Sequence, residues 1–179
     1  MESWGTVAQK IRVSAATLLG VVFLLLMHPS VRSLWLGGTI ALTGAAVRIW
    51  AAGHIDKGKV LAQGGPYAWT RNPLYLGSLI MALGIILAGQ AFWLLAPFGL
   101  FYLAVYYPVM KVEERELLQG YGEDFLAYAR KVPLFFPGLR MSDESQSYFR
   151  WSRVVRNREH RTLAGLLLTE AFLLLRTLY

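Results

Sequence analysis

Arg71, Asn72 and Pro73 stand between a glycine pair, Gly64-Gly65, and a run from Leu74 to Ala88 that carries no charge. Asparagine is a good helix N-cap, and proline suits the first helical position, where a missing N–H costs nothing. A helix is therefore predicted to start at Pro73. The free N–H groups of its first turn and the positive end of its dipole point back toward Arg71, and such a start suits an anionic group, a carboxylate or a phosphate. Tyr67 and Trp69 add aromatic surface, and Glu113 and Glu114 supply acceptors on a neighbouring helix. Donors at one helix end and carboxylates on its partner suit the two poles of a zwitterionic ligand. The plainer reading makes Asn72 a cap only and pairs the glutamates with Lys111 and Arg115 at a solvated surface. An anion site at the head of an uncharged run brings a polar ligand to the edge of a membrane.

The rest of the chain supplies that membrane. Of its 179 residues 55% are hydrophobic and 16% charged, too apolar a balance for an ordinary soluble domain. With no cysteine, disulfides, thiolate metal sites and cysteine nucleophiles are excluded, and three scattered histidines offer no zinc spacing, so no metal is expected. A net charge of +7 raises nucleic acid as a partner, but the basic residues sit at the ends of apolar runs and point to an anionic lipid surface instead.

Apolar runs cover Val13 to Met27, Ser33 to Ala52, Leu74 to Leu87 and Phe92 to Met110. A crossing needs about 20 residues or somewhat fewer. A further run, Leu163 to Leu175, is interrupted by Glu170 and either spans or lies in the interface. The expected fold is all-α: a polytopic membrane protein of about four to five membrane helices with short cytosolic helices. Residues 1–179 read as one membrane domain, with the first two membrane helices in 11–52, a core in 53–137 and a basic, amphipathic or inserted segment in 138–179. A basic start before an apolar run also suits a signal peptide, the lesser reading. Arg48, near the end of the second run, either snorkels to the surface or faces the site.

Only Ala88-Gly89-Gln90-Ala91 separates the third and fourth runs, so these form an antiparallel hairpin whose outer ends, Arg71–Pro73 and Lys111–Arg115, share a membrane face. Lys57, Lys59 and Arg71 precede the hairpin, nine Lys or Arg follow between Lys111 and His160, and the tip carries none. The positive-inside rule places both basic segments, and with them the site, in the cytosol. Val112 to Gln119 should prolong the fourth helix as far as Gly120-Tyr121-Gly122, with a short amphipathic helix over Glu123 to Lys131. Val132 to Gly138 reads as a proline-bounded elbow dipping back against the membrane. Beyond it, Arg150, Arg153, Arg156, Arg158 and Arg161, with Tyr148, Phe149 and Trp151, suit an anionic lipid surface.

Gly65-Pro66-Tyr67, Arg71-Asn72-Pro73-Leu74-Tyr75-Leu76-Gly77, Glu113-Glu114, Tyr121-Gly122-Glu123-Asp124-Phe125, Tyr128 and Lys131-Val132-Pro133 together resemble the isoprenylcysteine carboxyl methyltransferase and phospholipid methyltransferase group. The likeness covers roughly Gly53 to Pro137. It implies an integral membrane enzyme that uses S-adenosylmethionine, with a lipid or prenylated substrate entering from the bilayer. By residue it implies that Lys59, Val60, Leu61, Ala62 and Tyr67 surround the cofactor, that Asn72, Pro73, Leu74 and Tyr75 line it, and that Glu113 accepts hydrogen bonds from it. Arg71 and Glu114 join this set from the reading of donors and acceptors above. The isoprenylcysteine enzymes usually carry His where this chain has Asn72, whereas phosphatidylethanolamine N-methyltransferases look like Asn-Pro-Met-Tyr there. Val109 stands where the eukaryotic isoprenylcysteine enzymes have a substrate arginine.

A methyl sulfonium is already activated, so transfer needs alignment, exclusion of water and a nucleophile with a lone pair, without a metal or a covalent intermediate. A carboxylate acceptor needs no base; an amine does, and His54, Glu114 and Tyr75 have the chemistry to accept that proton, although a lone loop histidine is more often structural or solvated and none of them is singled out. Two other classes compete: membrane sterol reductases, which share an arginine-to-tyrosine signature but use a nicotinamide cofactor, and a non-catalytic membrane scaffold.

Overall fold

The computed structural model describes residues 4–56, 60–138 and 148–178. Every regular element among them is helical. In chain order these are α1 (Trp4–Leu25), α2 (Val31–His54), a 3-10 turn at Gly65–Ala68, α3 (Pro73–Ala88), a 3-10 turn at Phe92–Leu94, α4 (Leu95–Phe101), a π-turn at Tyr102–Tyr106, α5 (Tyr107–Lys131), α6 (Trp151–Arg156) and α7 (Glu159–Leu178). Trp4–Leu25, Val31–His54 and the continuous stretch Phe92–Lys131 are long and apolar enough to cross a membrane, and α3 is a shorter apolar helix of 16 residues. At about 1.5 Å per residue, the apolar half of the Phe92–Lys131 stretch, Phe92–Met110, is by itself about as long as a hydrocarbon core is thick. The charged half of that stretch, from Lys111 onward, therefore stands outside the membrane.

The helix start at Pro73 is where the sequence puts it. Other ends differ, each for a local reason. α1 begins at Trp4, before the first apolar run, because the Trp4 indole donates to the Ala104 carbonyl at 2.8 Å and carries helix into the polar residues. α2 begins at Val31 rather than Ser33. Ser30 is its cap: the Ser30 carbonyl accepts from Leu34 N–H at 2.9 Å, and its hydroxyl accepts from Ser33 N–H at 3.2 Å. α5, by contrast, breaks at Gly122, within the expected Gly120-Tyr121-Gly122 stop, where φ of 52° and ψ of −124° would strain a side chain.

Two compact units can be distinguished, and α2, α3, α5 and α7 contribute residues to both. One draws on Met1–Ala41, Ala82–Glu116 and Leu167–Tyr179. Met27, Ile86, Ala88, Ala91, Leu94 and Leu173 form its core, with Phe23 and Phe98 against them. The link after α3 turns tightly through Gln90, at φ 53°, and is held by the bond from His28 N–H to Gly89 O at 2.9 Å. In this unit α2 and α3 touch backbone to backbone: a Cβ on Gly37 would come within 2.3 Å of Ala88 N.

The other unit draws on Leu42–Met81 and Leu117–Leu166. Its core is Leu61, Phe125, Tyr128 and Val132, flanked by Leu117 and Tyr121. Here too α2 and α3 meet through glycine. A Cβ on Gly44 would lie 2.5 Å from Met81 N, and one on Gly77 would lie 2.6 Å from Cγ of Arg48. Small residues at such a contact let helices in a membrane pack by van der Waals attraction where no hydrophobic driving force exists.

Candidate active site

The loop before α3 is fastened to the elbow after α5. Arg71 N–H donates to Pro133 O at 3.0 Å, Gly138 N–H to Trp69 O at 3.0 Å, the Thr70 hydroxyl to Phe135 O at 2.7 Å, and the Asn72 side-chain amide to Leu134 O at 3.0 Å. The carbonyl of Asn72 accepts from Leu76 N–H at 3.1 Å, which is the N-cap position, while Asn72 N–H donates to the Thr70 hydroxyl at 3.2 Å. Asn72 thus caps α3 with its backbone and ties down the elbow with its side chain. Pro73 and Thr70 are buried; Arg71, Asn72, Leu74 and Tyr75 are half-buried. The Arg71 guanidinium carbon lies 6.0 Å from the centre of the Phe125 ring, a cation–π contact.

Upstream, Leu61 is buried in the core of this unit, Ala62 is half-buried, Val60 is exposed, and Lys59 lies outside the described residues. Tyr67 is buried, and its carbonyl accepts from the Tyr128 hydroxyl at 2.7 Å. Tyr128 belongs to the charged half of the Phe92–Lys131 stretch, and burial pushes its phenol pKa up, with Arg71 pulling the other way. The phenol stays protonated and continues to donate. Gly65 has φ +59°, and a Cβ there would also lie 2.6 Å from the His54 ring. His54 closes α2, buried, its Nδ1 2.9 Å from Trp50 O and its ring edge-on to Phe149. It packs the glycine turn.

Arg48 does not snorkel. Its Nε and Nη2 donate to the two carboxylate oxygens of Glu159 at 3.0 and 2.7 Å, and its Nη1 donates to Leu74 O at 3.2 Å and to the Ser78 hydroxyl. Nothing local in the sequence points to Glu159 as its partner. Asn157 is also part of this arrangement, donating to Ala52 O at 3.0 Å and so covering a last-turn carbonyl of α2. Of the arginines read as lipid-facing, Arg153 and Arg156 pair with Asp56.

Glu113 and Glu114 belong to the first unit and Arg71 to Tyr75 to the second. Glu113 accepts from Arg12 Nη1 at 2.9 Å, and Glu114 from Lys111 Nζ at 2.7 Å. Lys111 is the expected partner; Arg12, on α1, is not. Among the described residues no group of three or more His, Cys, Asp or Glu is placed to hold a metal ion.

An all-α chain with long apolar helices and an ordered polar loop at the head of α3 is a membrane protein with a candidate site at a helix end. Residues 44–124, a little under half of the chain, match the family model for phospholipid methyltransferase, a family of integral membrane methyltransferases that includes the isoprenylcysteine carboxyl methyltransferases. It is 34% identical to a cobalt-zinc-cadmium resistance protein of Cupriavidus metallidurans over 59% of this chain and 48% of that one. It is 32% identical to a nickel-cobalt-cadmium resistance protein of Alcaligenes xylosoxydans xylosoxydans over 63% of this chain and 52% of that one. The chain thus spans about half the length of these curated relatives, whose names state a resistance rather than a reaction. No solved structure matches it.

Proposed function

We propose that this protein transfers a methyl group from S-adenosylmethionine to a lipid or prenylated acceptor in the membrane. The observation that carries the reading is the fastening of Trp69–Asn72, at the head of α3 and inside the family match, to the 132–138 elbow that lies beyond it. Four bonds to backbone carbonyls make the polar loop rigid before any ligand arrives, and preorganised donors bind without an ordering cost. The donor set there, the Arg71 guanidinium and the first-turn N–H groups of α3, fits the carboxylate of an amino-acid-bearing cofactor. The cofactor supplies an activated methyl group. Arg71 and Asn72 hold the anionic end, Tyr67, Pro73, Leu74 and Tyr75 exclude water from it, and Val60, Leu61 and Ala62 flank it. The resemblance separately implies Glu113 as an acceptor for the cofactor's polar groups. The basic loops argue for a cytosolic face by the positive-inside rule, and for anionic lipid around it.

Adenosylhomocysteine should raise the unfolding temperature of the purified protein, because a ligand that binds only the folded state stabilises it. Stabilisation by a nicotinamide nucleotide instead would move the chain to the reductase reading. Labelled S-adenosylmethionine with extracted membrane lipids should give an organic-soluble labelled product, and label confined to small aqueous acceptors would overturn the lipid substrate. Glu113→Gln should weaken cofactor binding by about tenfold or more, since hydrogen bonds to charged groups are worth about 1.5–3 kcal/mol. Arg12→Gln, which removes the partner of Glu113 but not the carboxylate, should leave binding intact.

A further inference from the structure

We propose that Glu159 and Arg48 are positioning residues that fix the first turn of α3, so that the segment around Glu159, outside the family match, is part of the frame of the site. The Glu159 side chain is 5% exposed and that of Arg48 is 18% exposed, and the guanidinium grips both carboxylate oxygens in the two-pronged manner only arginine offers. That grip leaves Nη1, which is spent entirely on α3: it donates to the carbonyl of Leu74 and to the hydroxyl of Ser78, and Ser78 donates to the same carbonyl at 3.0 Å. Leu74 is the second residue of α3. Gly77 is what admits the arginine, since a Cβ there would lie 2.6 Å from Arg48 Cγ.

A buried ion pair is weak evidence for stability, because well-packed apolar residues of the same volume often do as well. What an apolar pair cannot do is supply a third donor to a helix carbonyl at a set distance from Asn72. The carboxylate is itself anchored, because Asn157, two residues before it, donates to Ala52 O at 3.0 Å in the last turn of α2. Glu159, Arg48 and Leu74 therefore form one chain of contacts that sets where the α3 start lies along α2. Its consequence for cofactor affinity rests on the methyltransfer reading; the geometric part does not.

The full chain in detergent micelles tests both parts, by amide hydrogen exchange and by adenosylhomocysteine binding. In Glu159→Gln, exchange of the Leu76–Leu79 amides should rise at least tenfold while that of residues 117–131 stays as in the wild type, and the dissociation constant for adenosylhomocysteine should rise at least fivefold. Ser78→Ala keeps the ion pair and removes one anchor of Nη1, so it should show the same local pattern to a smaller extent; it decides the matter if Glu159→Gln does not fold. Unchanged exchange at Leu76–Leu79 in a folded Ser78→Ala protein, or a rise shared equally with residues 117–131, overturns the positioning role. If the wild type does not bind adenosylhomocysteine, the methyltransfer reading fails and the exchange arm still decides the positioning role.

Discussion

Tyr128 shows how one buried hydroxyl sets a loop. Its O–H donates to the carbonyl of Tyr67, in the 3-10 turn that follows the glycine pair, while its ring packs with Leu61, Phe125 and Val132. Tyr128→Phe keeps the ring and leaves the carbonyl without that donor, and should cost about 1–3 kcal/mol. The pH dependence has a definite sign. Burial raises the Tyr128 pKa above the ordinary tyrosine value of about 10, so above that pH the unfolded chain releases the proton first and stability falls as pH climbs. The phenylalanine variant lacks this loss. Thermal unfolding in detergent at about pH 8 and about pH 10.5 should therefore show the gap between wild type and variant narrowing at the higher pH. A gap that stays constant would mean that the phenol is not held neutral. Gly65 is fixed by two demands at once, a left-handed φ and the His54 ring at its Cα.

At the scale of elements, what the sequence reveals depends on how far apart the cause and its effect lie along the chain. The α3 start was legible because Asn72 and Pro73 act on their own neighbours, and the α5 break because Gly122 acts on itself. The elbow was legible only as a proline-bounded turn. That it binds the α3 loop depends on Thr70 and Asn72 finding carbonyls more than sixty residues away, and the bond of Arg48 to Glu159 spans a longer separation still. Hydrophobic period and capping rules carry no information about such pairs. Asn72→Asp separates the two jobs of this residue. Aspartate is at least as good at a helix N-terminus, by capping and by charge against the dipole, so α3 should keep its start. It has no side-chain N–H for Leu134 O, and its charge opposes an anionic ligand. The expected outcome is an intact fold with faster proteolytic nicking at 132–138 and adenosylhomocysteine affinity reduced at least tenfold. Unchanged nicking and affinity would leave Asn72 with a capping role only.

For the whole molecule, the apolar runs and basic loops define a membrane protein, and small residues where α2 meets α3 let a short helix pack within it. The sequence made the apolar runs plain. The glycine contacts were not read from it, because Gly37, Gly44, Gly77 and Gly84 declare a packing face only once the helices that carry them are known to be neighbours. The expected sidedness rests on charge alone: with Lys57, Lys59 and Arg71 before α3 and no charge in Ala88–Ala91, the positive-inside rule argues for a cytosolic loop before α3 and a link on the other side. At about 1.5 Å per residue, the 16 residues of α3 span about 24 Å, short of a hydrocarbon core of about 30 Å, so a crossing by α3 would require local thinning of the bilayer or polar flanks drawn inward. The absence of native cysteine makes the test clean, since a single introduced thiol is the only one present. Val60→Cys, at a position 69% exposed, should react with a membrane-impermeant maleimide in inverted vesicles and not in intact cells. Gln90→Cys, at the exposed turn after α3, should react in intact cells. Labelling of both thiols from one side would show that α3 does not cross, and would remove the basis for delivering a membrane-stored acceptor along it to a cytosolic cofactor.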